Sequence, residues 1–146
     1  MFLRVSPPRH KDTKTMKVFE PLSPEVEELA KTVVDAAYKV HTTLGPGLLE
    51  SVYETCLGHE LRTRGAVVKS QVSIPIVYGD IRLDAGLRID LLVNDLIVVE
   101  VKAVDAMNRV FKAQVLTYLK LTGLRLGFLV NFNVPLIKNG IELVIL

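Results

Sequence analysis

The sequence has little to support disulfide chemistry, membrane insertion or strong attraction to polyanions. Its one cysteine, Cys56, excludes an intramolecular disulfide and a metal site built from cysteines. No apolar run is long enough to cross a bilayer. We expect no signal peptide, because Pro7 to Lys11 interrupts the apolar start too early. The net charge of +2 is too small to indicate a nucleic-acid partner by itself. We therefore expect a cytoplasmic protein without a membrane partner.

Several catalytic patterns are also missing. There is no Gly-x-Ser-x-Gly motif and no Gly-x-x-x-x-Gly-Lys phosphate loop, so a small-molecule hydrolase has no support. The histidines His10, His41 and His59 lack metal-ligand spacing, and we expect structural or surface roles for them. Cys56 lies among apolar residues at helical spacing, and we expect it to fill the core.

The remaining composition is that of one folded domain with a tail. The 146 residues are 49% hydrophobic and 23% charged, which is typical of a globular domain with a real core. We predict a single domain over residues 23–146. Residues 1–22 combine prolines and basic side chains with little periodicity, which predicts a flexible basic arm. The arm can contact phosphates, but short basic stretches are more often solvated tails.

Three helices are predicted from apolar residues at helical spacing. Ser23 suits the N-cap of the first helix and Pro24 its first position, and Gly45-Pro46-Gly47 ends it. A second helix is predicted over about residues 48–64 and a third over about residues 108–121.

Five strands complete the prediction, over residues 71–78, 81–93, 97–102, 126–132 and 141–146. Pro75 indicates an edge position or a bulge in the first strand. The fully apolar fourth strand is typical of a central buried one, and the last is expected at an edge. The order α-α-β-β-β-α-β-β predicts a mixed α/β fold, with a central mixed sheet flanked by helices.

Charged residues occur inside two strands that are otherwise rich in Ile, Leu and Val. Apolar residues at alternate positions from Ile81 to Val93 predict one apolar face, so Asp90 projects from the other. Glu100 and Lys102 are two residues apart and point to one side. Hairpin pairing can bring Asp90 close to them. Because buried charges are usually paired or bound to metal, this set suggests a hard-cation site for phosphodiester chemistry.

Three further polar residues are candidates for the site, and two of them have two interpretations. Glu50 lies in the first turn of the second helix, where it either stabilises the helix dipole or points into a cleft. Gln114 and Tyr118 are four residues apart and share one face of the third helix. Gln114 falls within the apolar stripe, so it is either satisfied by backbone groups or part of a site.

These residues together resemble the PD-(D/E)xK nuclease superfamily, whose core is restriction-endonuclease-like. Asp90 matches the motif aspartate, Glu100-Val101-Lys102 matches the (D/E)xK element, and Gln114 to Tyr118 matches the Gln-x-x-x-Tyr element of its exonuclease-like branch. Gly47 to Tyr53 reproduces the signature of the small bacterial GxxExxY family. The similarity covers about residues 24–140.

The resemblance implies a site for Mg²⁺ or Mn²⁺, ions that prefer oxygen ligands. Asp90 and Glu100 would supply carboxylates and Val101 its backbone carbonyl. Glu50 would reach the ion directly or through water.

The resemblance also implies roles around the attacking water. Lys102 would orient or deprotonate that water and stabilise the transition state. Gln114 and Tyr118 would line the cleft and hold Lys102 or the substrate backbone. The alternative for Glu100 with Lys102 is a salt bridge on an exposed strand face.

We thus expect a metal-dependent nuclease-like protein that hydrolyses DNA, or less favourably RNA. Its specificity would come from a homodimer, the basic arm or a partner protein. The alternative is a catalytically inactive nucleic-acid-binding or protein-interaction module that retains the fold. The weak net charge and the lack of an evident basic patch with aromatics favour this alternative.

Overall fold

Three helices and five strands follow one another in the predicted order in the computed structural model, which describes residues 20–146. Most of the predicted arm, residues 1–19, lies outside the described residues. The elements are α1 (Pro24–Leu44), α2 (Glu50–Thr63), β1 (Val68–Tyr78), β2 (Ile81–Val93), β3 (Ile97–Lys102), α3 (Arg109–Thr122), β4 (Leu126–Asn131) and β5 (Ile141–Ile145). A 3-10 turn at Ile137–Asn139 precedes β5.

The helix ends follow from local capping chemistry. The Ser23 hydroxyl accepts a hydrogen bond from the Val26 N–H at 3.2 Å, as its position before Pro24 predicts. Asn108 caps α3 in the same way, and α3 ends at Gly123, whose φ of 76° is left-handed. None of the described helices is long and apolar enough to cross a membrane.

The five strands form one mixed sheet in the order β1-β2-β3-β4-β5. All neighbours are antiparallel except β3 and β4, which are parallel and joined by α3. The mixed α/β fold is therefore confirmed. β1 and β5 are the edges, and the register of β1 shifts between Ile74 and Ile76, so Pro75 lies at an edge and at an irregularity.

Helices cover both faces of the sheet and create two apolar clusters. The first joins α1 and α2 to one face of β3 and β4, with Val33, Tyr53 and Phe128 fully buried. The second joins α3 to the opposite face, where Val98 and Val115 pack. Cys56 is half-buried against the first cluster, in agreement with its expected packing role.

The predicted single apolar face of β2 is wrong at Asp90. Leu91 and Val93 belong to the first cluster, whereas Ile89 belongs to the second, on the other side of the sheet. β2 pairs with β3 only over Leu91–Val93. Continued pairing would place Asp90 opposite Glu100, but the strands separate there. The alternation of faces breaks where the pairing of β2 with β3 ends, and the place where these two strands separate is called the cleft below.

Candidate active site

Asp90 lies where β2 and β3 separate, and its side chain replaces a backbone acceptor. Asp90 Oδ2 accepts a hydrogen bond of 2.9 Å from the Val101 N–H, which has lost a β2 partner. Asp90 Oδ1 lies 3.4 Å from the Gln71 amide nitrogen, at the limit of a hydrogen bond. The carboxylate is thus fixed between two strands, with Oδ1 only weakly engaged.

Glu100 and Lys102 form a buried ion pair beside this carboxylate. Glu100 Oε2 lies 3.4 Å from Lys102 Nζ, and the two side chains are 6% and 15% exposed. The burial excludes a salt bridge on an exposed strand face. Lys102 Nζ also lies 4.4 Å from the ring centroid of Phe111, a cation–π contact from α3. Glu100 Oε1 is buried and has no hydrogen-bond partner within residues 20–146.

The buried carboxylate of Glu100 is hard to ionise. Burial, followed by the negative charge of Asp90, raises its pKa to about 7, although the Lys102 charge opposes this rise. Burial likewise raises the pKa of Tyr118 to about 12, with contributions from Glu100 and Asp90. The site therefore holds carboxylates close together in a place that water reaches poorly. A bound cation would offset their negative charge.

Glu50 is exposed at the first position of α2, and Tyr53 fixes the loop that leads to it. The Tyr53 hydroxyl donates to the Gly45 carbonyl at 2.5 Å and accepts from the Leu48 N–H at 3.1 Å. Its ring stacks on Phe132 at a centroid distance of 4.7 Å. Glu50 is an acidic residue in the first turn of α2, as its first interpretation states, and its charge adds to the raised pKa of Glu100.

Gln114 and Tyr118 share the face of α3 that faces the sheet. Tyr118 is 3% exposed and packs in the second cluster. Gln114 is half-buried, and its Oε1 is the second buried oxygen without a partner in the described part of the chain. The contacts of Lys102 are Glu100 and Phe111 rather than these two residues.

Sequence reasoning missed Glu54 and assigned no role to Gln71. Gln71 Nε2 donates to Glu54 Oε2 at 2.6 Å and also approaches Asp90. A signal for Glu54 was available, because it follows Glu50 by one helical turn and shares its face. Gln71 lies within the stretch that is similar to the family, but its regular alternating strand pattern indicated no role for its side chain.

Asn131 was missed as well, although it holds the segment that follows Lys102. Its amide is 3% exposed. It accepts from the Val104 N–H and donates to the Val104 carbonyl, each at 3.0 Å. The connection from β3 to α3 is therefore fixed at the end of the β3 strand that carries the ion pair.

The donor set fits a hard divalent cation. Asp90 and Glu100 supply carboxylate oxygens, and the unpartnered Glu100 Oε1 is a buried acceptor that a cation would satisfy. As the side chains stand, no three acidic, histidine or cysteine groups within residues 20–146 are arranged to hold a metal ion. Water ligands or side-chain movement would therefore complete the coordination, as is usual for Mg²⁺.

Comparison with known proteins agrees with this geometry. The family model of the PD-(D/E)XK nuclease superfamily matches residues 27–144. The chain belongs to the PD-(D/E)XK nuclease superfamily. No curated protein and no solved structure gave a significant match to the chain.

Proposed function

We propose that the chain is a divalent-metal-dependent nuclease that hydrolyses phosphodiester bonds in DNA, with RNA the less favoured substrate. One observation carries the proposal: a buried glutamate with an unpartnered oxygen lies beside a lysine and a second carboxylate at a split in the sheet. Within the superfamily, Gly47, Glu50 and Tyr53 favour the GxxExxY family. A cytoplasmic location is part of the same proposal.

The proposed ligands of Mg²⁺ or Mn²⁺ are Asp90, Glu100 and the Val101 carbonyl, with Glu50 directly or through water. A bound ion would neutralise charge on the scissile phosphate and lower the pKa of water beside it. The chain itself supplies a rigid frame, because Asp90 is tied to the Val101 N–H and Glu100 is packed beneath α3. That rigidity favours positioning of the reacting groups over rearrangement during the reaction.

Lys102 is the proposed group that orients the attacking water and stabilises negative charge in the transition state. Glu100 and the Phe111 ring hold its ammonium group. Gln114 and Tyr118 line the same face of the cleft. Because the pKa of Tyr118 is raised to about 12, its hydroxyl keeps its proton at neutral pH and can donate to a phosphate oxygen.

A groove beside Asp90 supports a nucleic-acid substrate. It has a volume of about 320 Å³ and is lined by Ser73 and Arg88 together with Gln71, Gly86, Leu87 and Asp90. Arg88 is exposed and lies two residues from Asp90 on the same strand. A guanidinium at this place suits a phosphate of the bound strand.

A second candidate function is a non-catalytic nucleic-acid-binding or protein-interaction module. The observation in its favour is that residues 20–146 present no ready-made group of three metal ligands. A module of this kind would bind a partner without needing a divalent ion, so metal binding separates the two functions.

The test is cleavage of labelled single- and double-stranded DNA and RNA with Mn²⁺, Mg²⁺ or EDTA. Asp90→Ala and Lys102→Ala should each abolish cleavage, while the exposed matched controls Asp84→Ala and Lys120→Ala should retain it. Loss of cleavage in EDTA would support a metal role. Absence of cleavage on every substrate, with no Mn²⁺ binding by calorimetry, would favour the binding module.

A further inference from the structure

Gln71 has an unusual backbone conformation for a residue inside a strand. Its φ is 54°, in the left-handed region that side chains with a Cβ rarely adopt. The other non-glycine residues with positive φ in residues 20–146 are Asn94 and Asp95, which make the turn between β2 and β3. Gln71 therefore carries backbone strain with no turn to explain it.

The side chain of Gln71 joins three charged groups from two other elements. Its Nε2 donates to Glu54 Oε2 of α2 at 2.6 Å and lies 3.4 Å from Asp90 Oδ1 of β2. Its Oε1 lies 3.4 Å from Arg88 Nη1. A regular strand conformation would point this amide away from the three charged groups. The strained backbone is therefore what allows the contacts.

The hydrogen bond from Gln71 holds the Glu54 carboxylate near the carboxylates of the cleft. Glu54 is partly buried on α2, one turn after Glu50. Burial raises its pKa, the hydrogen bond from Gln71 opposes this rise, and the charges of Asp90 and Glu50 add to it. An acid placed among like charges is stabilised by hydrogen-bond donors, such as the Gln71 amide, and by a cation that joins the carboxylates. An independent sign of that cation is Glu100, which is 5% exposed with an unpartnered oxygen beside the same Asp90.

We propose that Gln71 is a positioning residue that couples Glu54 to Asp90, and that Glu54 is a further carboxylate of the metal site. The inference rests on the proposed function, since it concerns the same ion. Gln71 Nε2 approaches Asp90 Oδ1 at 3.4 Å from one side, while the Val101 N–H holds Oδ2 at 2.9 Å from the other. Glu54 then faces the ion from α2, directly or through a water ligand.

Gln71→Gly gives a test in which stability and binding move in different directions. Glycine adopts positive φ without strain, so the variant should keep or raise its melting temperature while losing the amide that holds Glu54 and Asp90. Outer contacts to metal ligands are typically worth about 10–100-fold in affinity. We expect Mn²⁺ binding, measured by calorimetry on the full chain, to weaken by about that factor in Gln71→Gly and in Glu54→Gln. Ser70→Gly, at the exposed position just before Gln71 on β1, is the matched control and should bind Mn²⁺ like the parent.

Each outcome decides the matter. An unchanged Mn²⁺ affinity in either variant, with the parent binding normally, overturns this inference and leaves the nuclease proposal intact. A melting temperature that falls together with affinity in Gln71→Gly marks Gln71 as a structural residue and also overturns it. A parent protein that binds no Mn²⁺ overturns both proposals.

Discussion

At the residue scale, the burial of Glu100 destabilises the metal-free fold whenever its carboxylate is ionised. Its pKa of about 7 lies above the ordinary value of 4.5, so folding favours the protonated form. The corresponding stabilisation is complete below the ordinary pKa and is lost as pH rises through about 7. Above that pH the metal-free protein must keep a charged carboxylate in a buried place beside Asp90.

This leads to a prediction for Glu100→Gln in the presence of EDTA. The neutral amide cannot ionise, so the variant should melt at a higher temperature than the parent, and the gain should grow between about pH 5 and pH 8. The lost attraction to Lys102 opposes the gain but is smaller than the effects of burial and Asp90, which are the larger causes of the raised pKa. Thermal melts followed by circular dichroism at several pH values provide the measurement.

Glu142→Gln is the control for this experiment. Glu142 pairs with Lys112 at 3.2 Å, but both side chains are more than 40% exposed, so the pair should matter little to stability. A difference between Glu100→Gln and the parent that stays constant with pH would contradict the account of Glu100. Calorimetry should also show weaker Mn²⁺ binding in Glu100→Gln, because a carboxylate ligand is lost.

At the element scale, the sequence predicted the order and kinds of helices and strands, since these depend on local capping and apolar periodicity. Ser23 and Gly45 marked the ends of the first helix, and Pro75 marked an irregularity that the structure contains. The break in β2 was not predictable in this way. Its apolar residues alternate without interruption through Asp90, and only the three-dimensional split from β3 sends Ile89 and Leu91 to different faces.

The loop before α2 is held by the side chain of Tyr53, which follows Glu50 by three residues. Tyr53→Phe should remove two hydrogen bonds to loop backbone groups while keeping the ring that stacks on Phe132. At about 1 kcal/mol for each bond, and more where a backbone group is left unpaired, the free energy of unfolding should fall by about 1–3 kcal/mol. Urea unfolding of both proteins checks this value.

Tyr38→Phe is the matched control, because Tyr38 lies on α1 with 41% of its surface exposed. Its free energy of unfolding should change by less than about 0.5 kcal/mol, as expected for an exposed position. Equal effects of the two substitutions would show that the Tyr53 hydroxyl does not hold the loop. Glu50 would then need another explanation for its position.

At the scale of the whole molecule, positive charge is distributed unevenly along the chain. Residues 1–19 contain five of the 18 basic residues and one of the 16 acidic residues. Residues 20–146 therefore hold 13 basic and 15 acidic residues, a formal charge of −2. The folded domain alone would repel a polyanion at long range, apart from any bound cation. Under the proposed function, this imbalance predicts that the N-terminal residues attract the nucleic-acid substrate.

The substitution Lys14→Gln combined with Lys17→Gln tests this role. Each phosphate contact that is lost should reduce the slope of log affinity against log salt by roughly 0.7–0.9. DNA binding followed by fluorescence anisotropy, with Ca²⁺ present and cleavage blocked by Lys102→Ala, should therefore show a slope shallower by about one to two. The matched pair Lys31→Gln with Lys39→Gln removes the same charge from exposed positions on α1. An equal change of slope for both pairs would mean that only the net charge of the protein matters. No change of slope for either pair would mean that the N-terminal residues do not contact DNA and form a solvated tail.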